Sequence, residues 1–459
     1  MTTHCKQPIR SAAAAFLIAL TLLLAAPGAF AADEDKDDGL PAGVEDGLSY
    51  MLGLVETPHA AFDPARVGEM LDFVTHDVED DGKLIPKRRD YGRGACVRSA
   101  VHASLARIIE YFYNPDIPNY TIIPSVVRLS GWYPGSELLT EGRELWTRMD
   151  DLQKPVVLWG KEFEVNTPDS FGGAYYRYDL LRLIVLLKHN GHNVLISASR
   201  QVDRSDVGRK AVILDDADWD YFYSGIEGLN AGLISWADTY MYGSGSVQVF
   251  YESDADAPQT VNMVFKWLRA GWAGANMVRS SHIHSGAERF LESFRKVIES
   301  DALPEPRRFA SDIAAIEKLP QSAFDGKVRE YARKFEKKFK DHQDMQSSAF
   351  QGIIKDGGYA DVLDREERLG TLIMEYVKQS VGKPALVTFD LPEPKPLAAP
   401  GEQPPAASSA RTAAKPGVPS VPRAETGTFH RKPGVEPCPI ERKVMGLPAP
   451  SAGSGAAAQ

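Results

Sequence analysis

The sequence predicts an α+β protein: a mixed domain with a mostly antiparallel sheet and helices, followed by an all-helical region and a disordered tail. Three observations carry this. From about Asp90 to Tyr251, short apolar runs are bounded by Gly, Pro and charged residues, the pattern of strands. Residues 258–382 shift to apolar residues at helical spacing. Residues 384–459 hold 15 of the 31 prolines and none of the seven tryptophans, so too little can be buried there to offset ordering entropy. The expected divisions are a signal peptide over 1–31, an acidic disordered N-terminus over 32–46, a mixed domain over 47–255, a helical domain over 256–382 and a Pro/Ala-rich tail over 383–459.

The N-terminus carries Lys6 and Arg10, then an apolar stretch from Ala12 to Ala26, then Ala29-Phe30-Ala31. Charge, apolar run and small-residue site in that order read as a secretory signal. The apolar stretch is about fifteen residues, short of the ~20 that a spanning helix needs, so cleavage near Ala31 is expected rather than a retained anchor. Cleavage would remove two cations and no acid, shifting a formal charge of −10 further negative. This acidic balance argues against a nucleic-acid partner, which would demand clustered Lys and Arg. It leaves Cys96 and Cys438 in a chain bound for an oxidising compartment, where one disulfide is possible. The mature chain is expected in a periplasm or outside the cell, with no transmembrane segment.

Asp63-Pro64 is a helix start, since the Asp oxygen accepts an orphan N–H and proline is suited to the first helical position. Val67, Met70, Leu71 and Phe73 give that helix an apolar face. Ala95 to Tyr111 reads as a helix, with Val97, Val101, Leu105 and Ile109 at four-residue spacing. Strand-like runs follow at Tyr120–Val127, Pro155–Trp159, Val194–Ser197, Ala211–Leu214 and Val247–Tyr251. The run Leu180–Lys188 is open between helix and strand; if a strand, Asn190-Gly191 is a two-residue hairpin turn leading into Asn193–Ser199. Val261, Val264, Phe265 and Leu268 have helical spacing. Ser285 with Glu288 three residues on suggests a capping box, and further helices are expected over Ile313–Leu319, Phe324–Phe339 and Val362–Val377.

The chain lacks G-x-x-x-x-G-K-[ST], a post-strand G-x-G-x-x-G, H-E-x-x-H and G-x-S-x-G, so no motif points to a nucleotide enzyme, a zincin or a serine hydrolase. No cofactor is expected. Four features remain as candidates. Cys96, placed at a helix start, would gain thiolate character from unpaired N–H groups and the helix dipole, with His192 as base and Asp215 as orienting acid; Asp216 is nearly as good a third member. Cysteine at a helix start, then histidine and acid on successive strands, is similar to the order in papain-like and transglutaminase-like folds, which implies a thiol hydrolase or acyltransferase. Arg89 and Asp90 stand where papain-like enzymes carry an upstream glutamine. The competing readings of Cys96 are a core thiol or half of a disulfide to Cys438.

His189 and His192 would face each other across the hairpin and, with His282 and His284, could form a metal site; two histidines alone are too few, and no metal is assigned. The helix Val328–Phe339 sets an apolar stripe against Arg and Lys, which suits an anionic surface but more simply a solvated face. Trp132-Tyr133-Pro134, Tyr175-Tyr176 and Trp219–Tyr223 group aromatics with Gly, Ser and Asp, a composition fit for glycan or peptide recognition or for packing. Asn119-Tyr120-Thr121 is a glycan acceptor if the source glycosylates. The favoured function is a non-catalytic envelope or binding module, its partner a peptide, a glycan or an envelope protein.

Overall fold

In the computed structural model, residues 39–76, 84–169, 172–229, 237–254 and 259–391 are described. The expected signal segment, Cys438 and the expected tail beyond Leu391 lie outside them. The fold is α+β. Helices α1 (Ala42–Val55) and α2 (Gly68–Thr75) precede strand β1 (Arg93–Val101) and helix α3 (Leu105–Phe112). Strands β2 (Val127–Trp132), β3 (Val156–Asn166), β4 (Ala174–Tyr175), β5 (Arg177–His189), β6 (His192–Gln201), β7 (Arg209–Asp215), β8 (Asp220–Glu227), β9 (Thr239–Asp254) and β10 (Gln259–Trp272) follow. Helices α4 (Ser280–Ile298), α5 (Pro306–Glu317), α6 (Gln321–Phe339), α7 (Ser348–Ile354), α8 (Tyr359–Val362) and α9 (Arg365–Ser380) close the chain.

Seven strands form one antiparallel sheet in the order β1-β10-β9-β6-β5-β3-β2, and β4, β7 and β8 form a second. The large sheet is covered on both faces. Leu183, Val185, Ile196, Val249 and Phe265 pack under α1 and α2 with Leu48, Met51 and Leu71. On the opposite face Leu186, Leu195 and Phe250 join α3 and α4 through Ile109, Phe112 and Phe294, in a core that continues into α5 to α9 and the small sheet. Phe222 of β8 packs on Phe350 and Tyr359, with ring centres 5.0 and 5.2 Å apart.

Several expected elements are confirmed. Asp63 accepts the Ala65 N–H at 3.0 Å and caps the turn that leads into α2. The ambiguous run is strand β5, and Asn190 (φ 49°) and Gly191 (φ 89°) turn it into β6 with His189 opposite His192, as left-handed turn residues should. Strands appear at four of the five expected runs. The fifth, Tyr120–Val127, is instead a short turn of helix over Asn119–Thr121 and a buried loop entering β2.

Other expectations are corrected. Residues 95–101 are strand, not helix: Cys96 faces the α1/α2 layer while Val97 packs on Leu291 of α4. Four-residue spacing cannot tell the two apart, because residues four apart share a face in a helix and in a strand alike. Val261, Val264, Phe265 and Leu268 lie in β10. That strand is buried on both faces, so its apolar residues need not alternate. The helical region therefore begins at Ser280 rather than at 256, and α4 starts five residues before Ser285. At the other end, α1 takes in residues 42–46 of the expected acidic tail, with Glu45 buried and bonded to Arg89 at 3.1 Å.

Candidate binding groove

The residues singled out for thiol chemistry are not brought together. Cys96 lies within β1, 2% exposed, with Sγ 3.1 Å from the Leu84 carbonyl oxygen. Through the ladder it is level with Phe265, Val247 and Ala198, so His192 stands three strands across and six residues along, roughly 14 by 20 Å at standard strand spacings. Asp215 ends β7 in the other sheet, exposed, and accepts the Asp218 N–H of the following turn at 3.1 Å. Asp216 is bound by Arg289 of α4 and by the Tyr221 hydroxyl. Burial alone would raise its pKa, but these two bonds outweigh it and hold the carboxyl below the usual range.

Of the four histidines, His189 and His192 face each other across the hairpin as expected, but His282 and His284 stand apart from them. His189 Nε2 lies 2.7 Å from Asp72 Oδ1 on α2, which also accepts from Asn190 Nδ2 at 3.1 Å. His282 and His284 lie in the first turns of α4, on the opposite face of the sheet, and His284 is paired with Glu288 at 3.4 Å. Among the described residues no three or more His, Cys, Asp or Glu side chains converge on a point that could hold a metal. In α6 the stripe Val328, Tyr331, Phe335 and Phe339 is buried, and on its outer side Lys334 binds Glu330 at 2.8 Å. Trp219, Tyr221, Phe222 and Tyr223 are core residues, as are Tyr175 and Tyr176.

The Trp132-Tyr133-Pro134 segment does line a cleft, of about 1120 Å³. Its floor is the α1 side of β3 and β5, where alternation projects Trp159, Lys161, Phe163 and Val165 from one strand and Arg177, Asp179 and Leu181 from the next. One wall is the segment from Trp132 to Glu137. The ends are His59 after α1 and the first turn of α9. That turn is fixed by a reciprocal cap: Asp364 Oδ1 accepts the Glu367 N–H at 2.8 Å, and Glu367 Oε2 accepts the Asp364 N–H at 2.9 Å.

Rings and cations alternate along the floor. His59 lies 5.5 Å from Trp159, Lys161 5.0 Å from the Tyr133 ring, and the Arg177 guanidinium 3.9 Å from the Phe163 ring. Carboxylates hold the cations in place: Lys161 with Asp179 at 3.0 Å, Arg177 with Glu366 at 3.1 Å. Tyr133 donates to Asp179 at 2.8 Å, and burial, with that carboxylate beside it, pushes the phenol pKa up, so it remains a donor. Burial likewise raises Glu366 despite Arg177. The result is a groove of ring faces and oriented polar groups, with its charges largely matched internally. Such a lining offers ring faces for stacking and polar groups for directed hydrogen bonds.

Sequence reasoning named Trp132, Tyr133 and Tyr175 but missed Trp159, Lys161, Phe163, Arg177, Asp179 and Glu366. The two-residue alternation over 156–166 was a usable signal for the floor. No local signal marks Glu366, which meets Arg177 across 189 residues of sequence. The chain matches no protein-family model and no curated protein.

Proposed function

We propose that the chain is an exported, non-catalytic binding module of the cell envelope whose groove takes an extended polysaccharide. The observation that carries this reading is the ladder of rings and internally paired charges on β3 and β5. It is a sheet face, not a sheet edge: β3 is bonded along one side to β5 and on the other to β2 from Glu162 onward, while Trp159 and Lys161 bond there to Tyr133, Ser136 and Glu137. A peptide could not gain affinity there by adding a strand; a ligand must be held by side chains alone, which suits sugar rings. Export rests on the N-terminal sequence, and among the described residues no helix is long and apolar enough to cross a membrane.

The test is binding of the mature protein to purified peptidoglycan and to chitin by co-sedimentation, with titration calorimetry on soluble oligosaccharides. Trp132→Ala and Trp159→Ala are each expected to weaken binding about tenfold, equivalent to about 1.4 kcal/mol. Binding that is absent, or that ignores both tryptophans, overturns the reading. A preference for extended peptides over glycans would reassign the groove.

A further inference from the structure

Next to the groove, and sharing Leu129 and Glu367 with it as lining residues, lies a second cavity of about 40 Å³. At roughly 10–15 Å³ per water, that is room for about three waters or a group of a few heavy atoms. Arg128 of β2 lines it. Its guanidinium is almost fully buried, donates from Nη1 to Glu367 Oε1 at 2.8 Å, and lies 3.7 Å from the Tyr223 ring centre. Its Nη2 is buried with no acceptor among the described residues.

A buried guanidinium N–H without an acceptor bears its full desolvation cost, so the site favours a guest that supplies one. The charge of Arg128 is already matched by Glu367, and Glu375 also lines the cavity. An anionic guest would therefore meet two carboxylates, and a neutral acceptor is preferred. The remaining walls include Trp219, Tyr223 and Met374, which favour an apolar end. A small neutral acceptor joined to a methyl is an acetamido group.

We propose that this cavity is a subsite for the N-acetyl group of an amino sugar, its carbonyl oxygen accepting from Arg128 Nη2 and its methyl resting against Trp219 and Tyr223. The proposal rests on the polysaccharide reading of the groove and names which sugar that groove selects.

The decisive experiment compares chitotetraose with cellotetraose on the wild-type protein by calorimetry, since the two share a β-1,4 backbone and differ at the acetamido position. Chitotetraose is expected to bind at least tenfold more tightly, and its N-deacetylated form to lose that advantage. Replacing acetyl by bulkier N-butanoyl groups should also weaken binding, because the cavity is small. Arg128→Lys, with folding checked by thermal melting, should weaken chitotetraose binding more than cellotetraose binding and so reduce the preference between them. Equal affinity for the two sugars, with both still dependent on Trp132, overturns the subsite and leaves the groove standing. Failure of both sugars to bind overturns the groove reading and the subsite with it.

Discussion

Cys96 shows how the element around a side chain decides its chemistry. At a helix start its sulfur would face unpaired N–H groups and solvent; in β1 it is 2% exposed and lies against the Leu84 carbonyl oxygen instead. Iodoacetamide between pH 4 and 9 should therefore leave Cys96 unlabelled in the native protein and label it after denaturation, as read by mass spectrometry. Native labelling with a low apparent pKa would contradict its position. Glu162 is the opposite case, a titratable group made sensitive by its surroundings. It is 1% exposed, bound by Arg182, and shares its pocket with Glu164, Lys266 and Tyr178. Burial, the largest influence, pushes its pKa up to about 7 despite Arg182. A carboxyl whose folded pKa is raised contributes stability that is full below its unfolded pKa near 4.5 and is lost as pH rises towards 7. Denaturant melts from pH 4.5 to 7 should show that decline in the wild type, and Glu162→Gln should flatten it; an unchanged slope would rule Glu162 out as its source.

Among the elements, the joint between β8 and α9 is held by charge inside the core. Lys378 Nζ bonds Asp220 at 2.7 Å and Glu375 at 3.1 Å, while Lys338 of α6 reaches the same Asp220 at 2.8 Å. Lys378→Met would leave Asp220 and Glu375 buried with less compensation. Its expected cost is about 3–5 kcal/mol, measurable by denaturant titration. Gly370 of α9 makes a subtler prediction. Alanine should gain about 1 kcal/mol from helix propensity, yet a Cβ here would stand 2.2 Å from Leu129 Cδ2. Overpacking costs about 1–3 kcal/mol, so Gly370→Ala should destabilise by up to about 2 kcal/mol on balance, and a raised melting temperature would contradict this. Contacts of this kind are what the sequence could not disclose. The Asp63 cap and the Asn190-Gly191 turn were legible because their physics is local. Strands β1 and β10 were misread because a buried strand lacks alternation and four-residue spacing fits both periods. The groove was only half legible, since its floor obeys a visible two-residue pattern but its far wall comes from α9.

For the molecule as a whole, folding brings the sheet, both helical layers and the start of the C-terminal segment into contact: Gln379 exchanges hydrogen bonds with the Phe389 backbone at 2.7 and 2.9 Å. A truncation at residue 382, which strips Val387 and Phe389 from the core, should consequently melt several degrees lower than one at 391. The same close packing bears on how the protein can be made. Asn119 and Thr121 of the acceptor triplet are 6% and 0% exposed, and the Thr121 hydroxyl donates to the Pro118 carbonyl at 2.7 Å. Oligosaccharyltransferases act on the nascent polypeptide, before that turn closes. In a yeast or mammalian expression host, a sugar tree attached at Asn119 would have no room in the finished structure, and the product should be retained by quality control unless the triplet is removed.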